Sequence, residues 1–549
     1  MNPDMKESRI LELAAEHTNM WRERNKKFED WFKLIILDDS KIRQTDMECV
    51  ISNDPNTLYE KASGILCSGI AHRVPTDDIP NPETVDTNSI SKFLSSIWES
   101  KDRIQRRRAR PEVIKELVDF LLITGWYDVM AYGLPEDGLV AEVRNPAECF
   151  PMYGDSGLVS HFRVFNLNRE DALRRVALNG WTLSRAINPR TLSVKVHDFW
   201  FLDDFNRVYN SILIDNKTVK PPTLMTFLEI PILSGVASGM PDRGVIMPGD
   251  QKWSSRVGRS IVVSNESLYN NLDRQLSFTQ QIIRDTAQFK TLEKSSTDTP
   301  IVSPETINKR GAIFRMGTDE DVSAMALPPL PVEISLHGRT LEDMIQRGGF
   351  PWSIYGIEAA QMGAYAEARM STAVKEGLKI YSKAMTYVLS EIDNIWLDAM
   401  RLYSMSIGGW AIPENIPPSI RVHVEVPANI PGDFIQRATL SRMISPEFRL
   451  SQKFTMQMLW PEIDNANAMI AAGRADEIMN HPAAKIISLV SSFKQKAQEL
   501  IEFGDQFGAD LFNKAAEMAL QTLPQTLGLR EAPPEQVGSG LGPIPGAPS

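Results

Sequence analysis

Three lysines in the second half of the chain have the spacing of a contact surface for phosphate groups. Lys375, Lys379 and Lys383 follow one another at intervals of four residues, which puts all three on one face of a helix. Ammonium groups on such a face can contact the phosphates of a nucleic acid without reading its bases. The same spacing is also typical of a helix face that contacts only water, and the sequence leaves both interpretations open.

A second group of cations forms a basic block between residues 101 and 110. The block is a candidate contact for an anionic partner, and it is equally compatible with a solvated helix face. Its members are Lys101, Arg103, Arg106, Arg107, Arg108 and Arg110.

Sequence strings that resemble catalytic or ligand-binding motifs lack the context that the chemistry needs. The string 154–157 (GDSG) copies the surroundings of the nucleophile in trypsin-like proteases, but the upstream histidines, His17 and His72, have no matching context. The chain has no Gly-Lys dipeptide and hence no P-loop, and its seven histidines show no zinc-ligand spacing. We therefore predict a β-turn at 154–157, and no catalytic residue, metal site or cofactor.

Composition indicates an ordinary globular protein. Apolar residues make up 42% and charged residues 23% of 549 residues, enough for two to four packed units. The net charge of −11 lacks the basic footprint of a sequence-specific DNA-binding protein, so any nucleic-acid contact should be local. Three scattered cysteines predict synthesis in a reducing cytosol. No apolar run reaches membrane-spanning length, and the N-terminus lacks the apolar region of a secretion signal.

The elements that must position these residues change in type along the chain. Hydrophobic spacing predicts mostly helices over residues 1–130, with a loop at 71–88. Alternating apolar residues then predict an antiparallel sheet over 138–232, with one helix inserted near 169–179. The sequence thus predicts an α+β fold that is mainly helical.

Two long amphipathic helices dominate the second half. The first is predicted over 258–290 and has one apolar stripe that needs a neighbour to cover it. A polar segment with short strands follows, then a shorter helix over 335–347, a Gly/Pro break, and a helix over 365–403. A strand near 420–426, C-terminal helices and a Gly/Pro/Ala-rich tail complete the pattern.

This order of elements resembles the stem, clip, stem, tunnel-loop and wing-helix series of the portal proteins of tailed bacteriophages. Short strings along nearly the whole chain agree with the resemblance, and their order carries more weight than any one string. The strings lie at 143–146, 150–157, 229–232, 258–260, 349–351, 355–356, 440–441, 445–447 and 460–464. The match is loosest at the C-terminus, where residues 465–472 replace an acidic run.

The resemblance implies a portal fold divided into wing, stem, clip and crown. A wing would combine the helical N-terminus with the antiparallel sheet, and a clip would stand between two stem helices. The implied boundaries are 1–256 for the wing, 257–291 for the first stem helix, 292–334 for the clip, 335–349 for the second stem helix, 350–366 for the tunnel loop, 367–430 for the long wing helix and strand, 431–525 for the crown and 526–549 for a disordered tail.

The resemblance also implies a function without enzymatic activity. The chain would be one of about twelve copies in a ring at one capsid vertex of the virion, made in the cytoplasm of a bacterial host. Double-stranded DNA would pass through the ring non-specifically during packaging and ejection. The terminase large subunit and then a tail adaptor would dock on the clip, and the major capsid and scaffold proteins would surround the ring. No membrane contact is expected.

Specific residues follow from that resemblance. The tunnel loop would touch DNA in the channel, Lys375, Lys379 and Lys383 would contact phosphates, and the basic block would meet scaffold, capsid protein or packaged DNA. The tunnel-loop residues are Gly356, Gln361, Met362 and Gly363, and the clip-docking residues are Asp298, Lys309, Arg310, Arg315 and Asp319. Two alternatives remain open: another structural virion protein, such as a tail adaptor, and an enzyme with an unrecognised carboxylate site.

Overall fold

The computed structural model divides the chain into two units, residues 1–436 and residues 437–549. Its architecture mixes helices and sheets with helices predominating, which confirms the predicted fold class. None of the helices in the described part of the chain is long and apolar enough to cross a bilayer. The described residues are 4–41, 43, 48–69, 71–75, 87–155, 157–183, 187–188, 190–237, 258–287, 291–294, 318–319, 321–324, 332–350, 364–403, 406–413, 416, 420–426, 456, 466–502 and 505–526.

Helices occur in both units, and several match the predicted positions closely. The helix predicted over 365–403 is found at nearly those bounds. The helices are α1 (Glu7–Met20), α2 (Arg22–Ile35), α3 (Asp54–Cys67), α4 (Thr87–Arg107), α5 (Val113–Thr124), α6 (Arg169–Leu178), α7 (Glu266–Ala287), α8 (Val332–Gly348), α9 (Ala364–Tyr403), α10 (Ala466–Asn480), α11 (Pro482–Glu502) and α12 (Gln506–Thr526).

Strands are confined to the first unit among the described residues. Their hydrogen-bonded pairs are all antiparallel, as the sequence predicts for the sheet region. The strands are β1 (His72–Pro75), β2 (Trp126–Leu134), β3 (Gly138–Val143), β4 (Cys149–Gly154), β5 (Gly157–Asn168), β6 (Ser193–Leu202), β7 (Val208–Ile214), β8 (Lys217–Leu224), β9 (Ile232–Val236), β10 (Thr291–Lys294), β11 (Asp321–Ala324) and β12 (Val422–Glu425).

The main sheet has five strands in the order β4-β5-β6-β7-β8, with α6 inserted between β5 and β6 as predicted. Its covered face carries a row of aromatic rings, Phe162, Phe199, Phe201 and Tyr209, whose centroids are 3.9, 4.8 and 5.5 Å apart in succession. Large flat rings on neighbouring strands bury much apolar area, and this stabilises the sheet against slipping by one residue.

The N-terminal helices are fixed to this sheet by Arg24 of α2. The buried guanidinium group donates hydrogen bonds to the carbonyl oxygens of Pro146 (3.0 Å) and Cys149 (2.6 Å). It also lies 4.4 Å from the ring centroid of Trp21 and 4.7 Å from that of Trp126. Carbonyl oxygens and aromatic faces thus replace the water molecules that the cation loses on burial.

A smaller sheet, in the order β3-β2-β9, packs against the long helix α9. Every third or fourth residue of α9 enters this core, including Val374, Leu378, Met385 and Leu389. Trp396 is fully buried, and its Nε1 donates to the carbonyl oxygen of Val140 (3.0 Å). The predicted amphipathic pattern of this helix therefore corresponds to burial within one chain on its apolar side.

The loop predicted over 71–88 is only partly correct, because β1 lies within it. Strand β1 pairs with β12, more than 340 residues away in sequence. Arg73 of β1 then bonds Asp393 of α9 through its Nε (2.7 Å), and Trp98 Nε1 donates to the other carboxylate oxygen (2.8 Å). A four-residue strand beside prolines gives a weak local signal, and its partner is distant, so the sequence alone does not show the pairing.

The helix predicted over 258–290 begins later than the sequence pattern indicates. Helix α7 starts at Glu266, whereas the pattern predicted a start at Gly258. Ile261 N donates instead to the Leu122 carbonyl oxygen (2.9 Å), so this stretch follows the end of α5. Gly258 permits that approach, because a Cβ there would lie 2.4 Å from Trp126 Cδ1 and 2.5 Å from the Thr124 carbonyl oxygen.

The second unit contains an antiparallel hairpin of α11 and α12. Small and apolar residues at intervals of seven form its seam, with Val490 and Ala497 buried on α11 and Ala509 and Ala516 buried on α12. This spacing is that of a coiled-coil seam. The helical crown predicted over 431–525 is therefore helical where the structure describes it, and the tail predicted over 526–549 lies, after Thr526, outside the described residues.

Candidate functional site

The helices at the two predicted stem positions, α7 and α8, pack side by side. Asn265 Nδ2 donates to the Ile345 carbonyl oxygen (2.8 Å), and the side-chain amide of Gln275 donates to the carbonyl oxygen of Ile334. Gly348 allows the close approach, because a Cβ there would lie 2.1 Å from Asn265 Oδ1. The helices thus form one antiparallel pair whose ends are fixed by amide–carbonyl hydrogen bonds.

The outward side of this pair still carries large apolar residues. The inward side buries Tyr269, Leu272, Leu341 and Ile345. In the single chain, other apolar side chains of the pair remain in contact with water. Their exposed fractions are well above those of core residues. They are Phe278 (56% exposed), Ile283 (51%), Val332 (70%), Leu336 (56%) and Met344 (46%).

An extended segment, residues 48–52, lies along α7 and is called the strap below. Three polar side chains of α7, spaced four residues apart and hence on one helical face, accept its backbone N–H groups. The bonds run from Glu48 N to Gln281 Oε1 (3.3 Å), from Val50 N to Ser277 Oγ (3.0 Å) and from Ser52 N to Asp273 Oδ1 (2.8 Å). Arg284 also pairs with Glu48 (2.6 Å). The strap therefore ties the N-terminal region to α7.

Burial raises the pKa of Asp273 to about 6, while the N–H group of Ser52 opposes the rise. In an unfolded chain the pKa of an aspartate is about 3.9, so the folded protein binds the proton more tightly. This stabilising effect is complete at low pH and is lost as the pH rises from about 4 to about 6. At higher pH the buried carboxylate should cost up to about 3 kcal/mol, from 1.36 kcal/mol per pKa unit.

We expect Asp273→Asn to increase the free energy of unfolding at pH 8 by about 1–3 kcal/mol and to leave it unchanged at pH 4. The amide keeps an oxygen that can accept the hydrogen bond from Ser52 and removes the charge. Urea unfolding followed by tryptophan fluorescence would measure the change. Asp171→Asn, at an exposed position on α6, is the control and should show no such difference. An equal gain at both pH values would contradict the ionisation argument.

The predicted lysine face lies on the side of α9 away from its core. Lys379 and Lys383 are exposed and Lys375 is half-buried. Lys379 forms an exposed ion pair with Glu376 (3.2 Å), and such a pair contributes little to stability. The structure thus brings the three lysines to one face, as their spacing predicted, and does not test their contact with phosphate.

Most other predicted contact residues have no structural description. The tunnel-loop residues Gly356, Gln361, Met362 and Gly363 lie outside the described residues, as do Asp298, Lys309, Arg310 and Arg315 of the clip. Asp319 is described and lies in an exposed turn just before β11. Strands β10 and β11 pair with each other, which places a short two-stranded ribbon within the predicted clip.

A buried polar cluster formed by Asp128, Cys149 and His161 has no signal in the sequence pattern. Their potential ligand atoms all lie within 4.8 Å of one another. His161 Nε2 and Asp128 Oδ2 are 2.7 Å apart with both side chains fully buried. Two ligands of one tetrahedral zinc ion, at bond lengths of about 2.0 Å, would lie about 3.3 Å apart. The Asp–His contact is thus a direct hydrogen bond.

The cysteine of this cluster is poorly suited to metal binding or nucleophilic catalysis. Burial, reinforced by the nearby Asp128 carboxylate, raises the pKa of Cys149 well above its usual range and keeps the thiol protonated. The three residues come from β2, β4 and β5, and β2 belongs to a different sheet from the other two. The cluster therefore joins the two sheets through buried hydrogen bonds.

No protein-family model and no curated protein matches this chain. Solved structures of low similarity include the neck of an empty gene transfer agent (GTA) particle with C6 symmetry (12% identity, 74% of this chain, 90% of that chain, TM-score 0.41). They also include the neck of a native GTA particle with C12 symmetry (12%, 74%, 89%, 0.38) and the virion of a native GTA particle (12%, 78%, 98%, 0.40). These TM-scores are too low to establish a shared fold.

Proposed function

We propose that this chain is the portal ring subunit of a tailed bacteriophage. Copies of it would form the channel through which the genome is packaged and later ejected at one capsid vertex. The terminase large subunit, and afterwards a tail adaptor, would dock on the region 292–334. The role is structural, and the residues contribute packing and surface charge rather than bond chemistry.

The observation that carries the proposal is the incomplete burial of the stem helices. Helices α7 and α8 bury one side against their own chain and expose Phe278, Leu336 and other apolar side chains on the other. Burying such side chains contributes about 1.5–3 kcal/mol each. Identical copies arranged around an axis supply that cover for every subunit at once, since a heterologous contact closes into a ring.

The arrangement of neighbouring parts agrees with this proposal. The paired strands β10 and β11 lie in sequence between the two stem helices, as a clip would. Lys375, Lys379 and Lys383 offer a charged face for the phosphates of passing DNA. Non-specific contact of this kind lets DNA slide, because no base is read.

Imaging of the purified full-length chain tests the proposal. We expect negative-stain electron microscopy to show rings with a central hole. Light scattering after size-exclusion chromatography should give a mass near twelve times that of one chain. A monomer or dimer without a hole, at all concentrations and salt conditions tried, would refute the proposal.

A further inference from the structure

The C-terminal end of α4 presents arginines on its solvent side. Gln105 is buried and its side chain donates to Glu116 (3.4 Å), which fixes the inward face of the helix. Successive helical residues are about 100° apart, so Arg103 and Arg107 each lie about 160° from Gln105, on opposite sides of it. These two exposed residues therefore lie within about 40° of each other on the outward face.

Ion pairs within the chain account for only part of the basic block. Arg106 pairs with Glu112, and Arg110 pairs with Glu116. Lys101 donates to the carbonyl oxygen of Leu139. Arg103, Arg107 and Arg108 remain exposed, and within the described part of the chain no carboxylate forms an ion pair with them. They are called the arginine patch below.

The arginine patch stands on a well-defined turn. After α4, Ala109 adopts the left-handed conformation (φ 54°), and Arg110 N returns to the Gln105 carbonyl oxygen (3.1 Å). Cations at a helix C-terminus interact favourably with the helix dipole, which explains why basic residues are tolerated there. That interaction leaves the guanidinium N–H donors free to bind a partner.

The two carboxylates nearest to the patch in sequence are already engaged. Asp102 accepts a hydrogen bond from Val113 N (3.0 Å), and Glu112 pairs with Arg106. Residues 101–112 contain six basic and two acidic side chains, a local charge of +4 on a chain whose net charge is −11. The surface here therefore attracts anions.

We infer that Arg103, Arg107 and Arg108 bind the phosphate backbone of duplex DNA. Guanidinium groups bind phosphate oxygens through paired N–H donors. Arginines that contact only the DNA backbone do not reach the base edges, which are exposed in the grooves. Binding should therefore be independent of sequence and sensitive to salt. The inference rests on the proposed function only in that a phage portal meets DNA. The patch lies on α4 and is a second contact, additional to the lysine face of α9.

Fluorescence anisotropy with a labelled 20-base-pair duplex of arbitrary sequence, titrated with the full-length protein, tests this site. We expect the triple variant Arg103→Ala, Arg107→Ala, Arg108→Ala to bind at least about ten-fold more weakly at about 50 mM salt. Each lost phosphate contact should reduce the slope of log K against log salt by about 0.9, so the slope should become shallower by about 2–3. The melting temperature should not change, because all three side chains are exposed.

A matched control is available on α2. Arg22 and Lys26 are exposed and four residues apart, as Arg103 and Arg107 are. The other two cations of their segment are engaged, because Arg24 is buried and Lys27 pairs with Glu266. The double variant Arg22→Ala, Lys26→Ala should bind DNA like the unaltered protein, and Arg103→Ala, Arg107→Ala should not. Equal losses in the two double variants, or an unchanged slope in the triple variant, would overturn the inference.

Ring imaging separates this inference from the proposed function. If rings form and the triple variant binds DNA normally, the patch has no DNA role and the portal proposal stands. If the triple variant binds DNA normally but fails to enter capsids, an acidic protein is the partner and the inference is wrong. If no rings form but the salt slope changes as expected, the DNA site stands and the portal proposal fails.

Discussion

Phe278→Glu combined with Leu336→Glu is expected to convert the proposed ring into single, folded chains. Both side chains are 56% exposed in one chain, on the two helices that would form the stem. In the proposed ring, each substitution would remove an apolar contact with the neighbouring subunit. Each glutamate would also bring an uncompensated charge into an apolar interface. Burying such a charge costs several kcal/mol per copy, more than the original side chain contributed.

Light scattering after size-exclusion chromatography would show the change as a fall from the ring mass to the monomer mass. Phe205→Glu is a suitable control, because Phe205 is 79% exposed in the turn between β6 and β7, away from the stem helices in sequence. The control should still form rings. Rings that survive the double substitution would show that α7 and α8 do not form the subunit interface.

Asp393→Ala is expected to have the largest effect on stability. Asp393 is fully buried and accepts bonds from Arg73 Nε (2.7 Å) and Trp98 Nε1 (2.8 Å). Removing the carboxylate would leave the guanidinium of Arg73, which is only 3% exposed, without its counter-charge. Breaking a buried pair in this way costs about 3–5 kcal/mol. Urea unfolding should show a correspondingly lower midpoint.

An exposed aspartate on the same helix provides the comparison. Asp398 pairs with Arg401 and Arg421, each at 2.7 Å, but its side chain is 45% exposed. Asp398→Ala should therefore change the unfolding free energy by less than about 1 kcal/mol. Replacing both members of the buried pair, as Arg73→Met with Asp393→Leu, should cost less than Asp393→Ala alone, because no unpaired charge remains. Equal losses for Asp393→Ala and Asp398→Ala would contradict this account.

The strap shows which part of a site can be predicted and which cannot. Asp273, Ser277 and Gln281 stand four residues apart, so the sequence does indicate a polar stripe on α7. The residues that bond to it, 48–52, are more than 220 positions away and have no regular pattern. Backbone N–H groups carry no sequence signature, since every residue except proline has one. The polar stripe on α7 can therefore be predicted from the sequence, whereas the segment that bonds to it cannot.

The start of α7 illustrates a second limit. Residues 258–265 continue a helical pattern of apolar residues, yet they bond to the end of α5. Helical periodicity indicates which side chains need burial. An irregular segment that packs against the end of a helix can bury the same side chains without being helical itself. Gly258 gave a local hint, because a glycine often marks a close approach of two backbones.

The sequence by itself determined the periodic features: the long helix α9 with its lysine face, the antiparallel sheet with α6 inserted, and the mixed fold class. These depend on spacings of two or three to four residues, which a chain carries locally. Only the tertiary structure decided the pairing of β1 with β12, the buried contact of Arg73 with Asp393, and the cluster of Asp128, Cys149 and His161. In the first two cases the partners are more than 300 residues apart along the chain, and in the third they lie on three different strands. Their energies come from desolvation and direct hydrogen bonding, which exist only once the fold has brought them together.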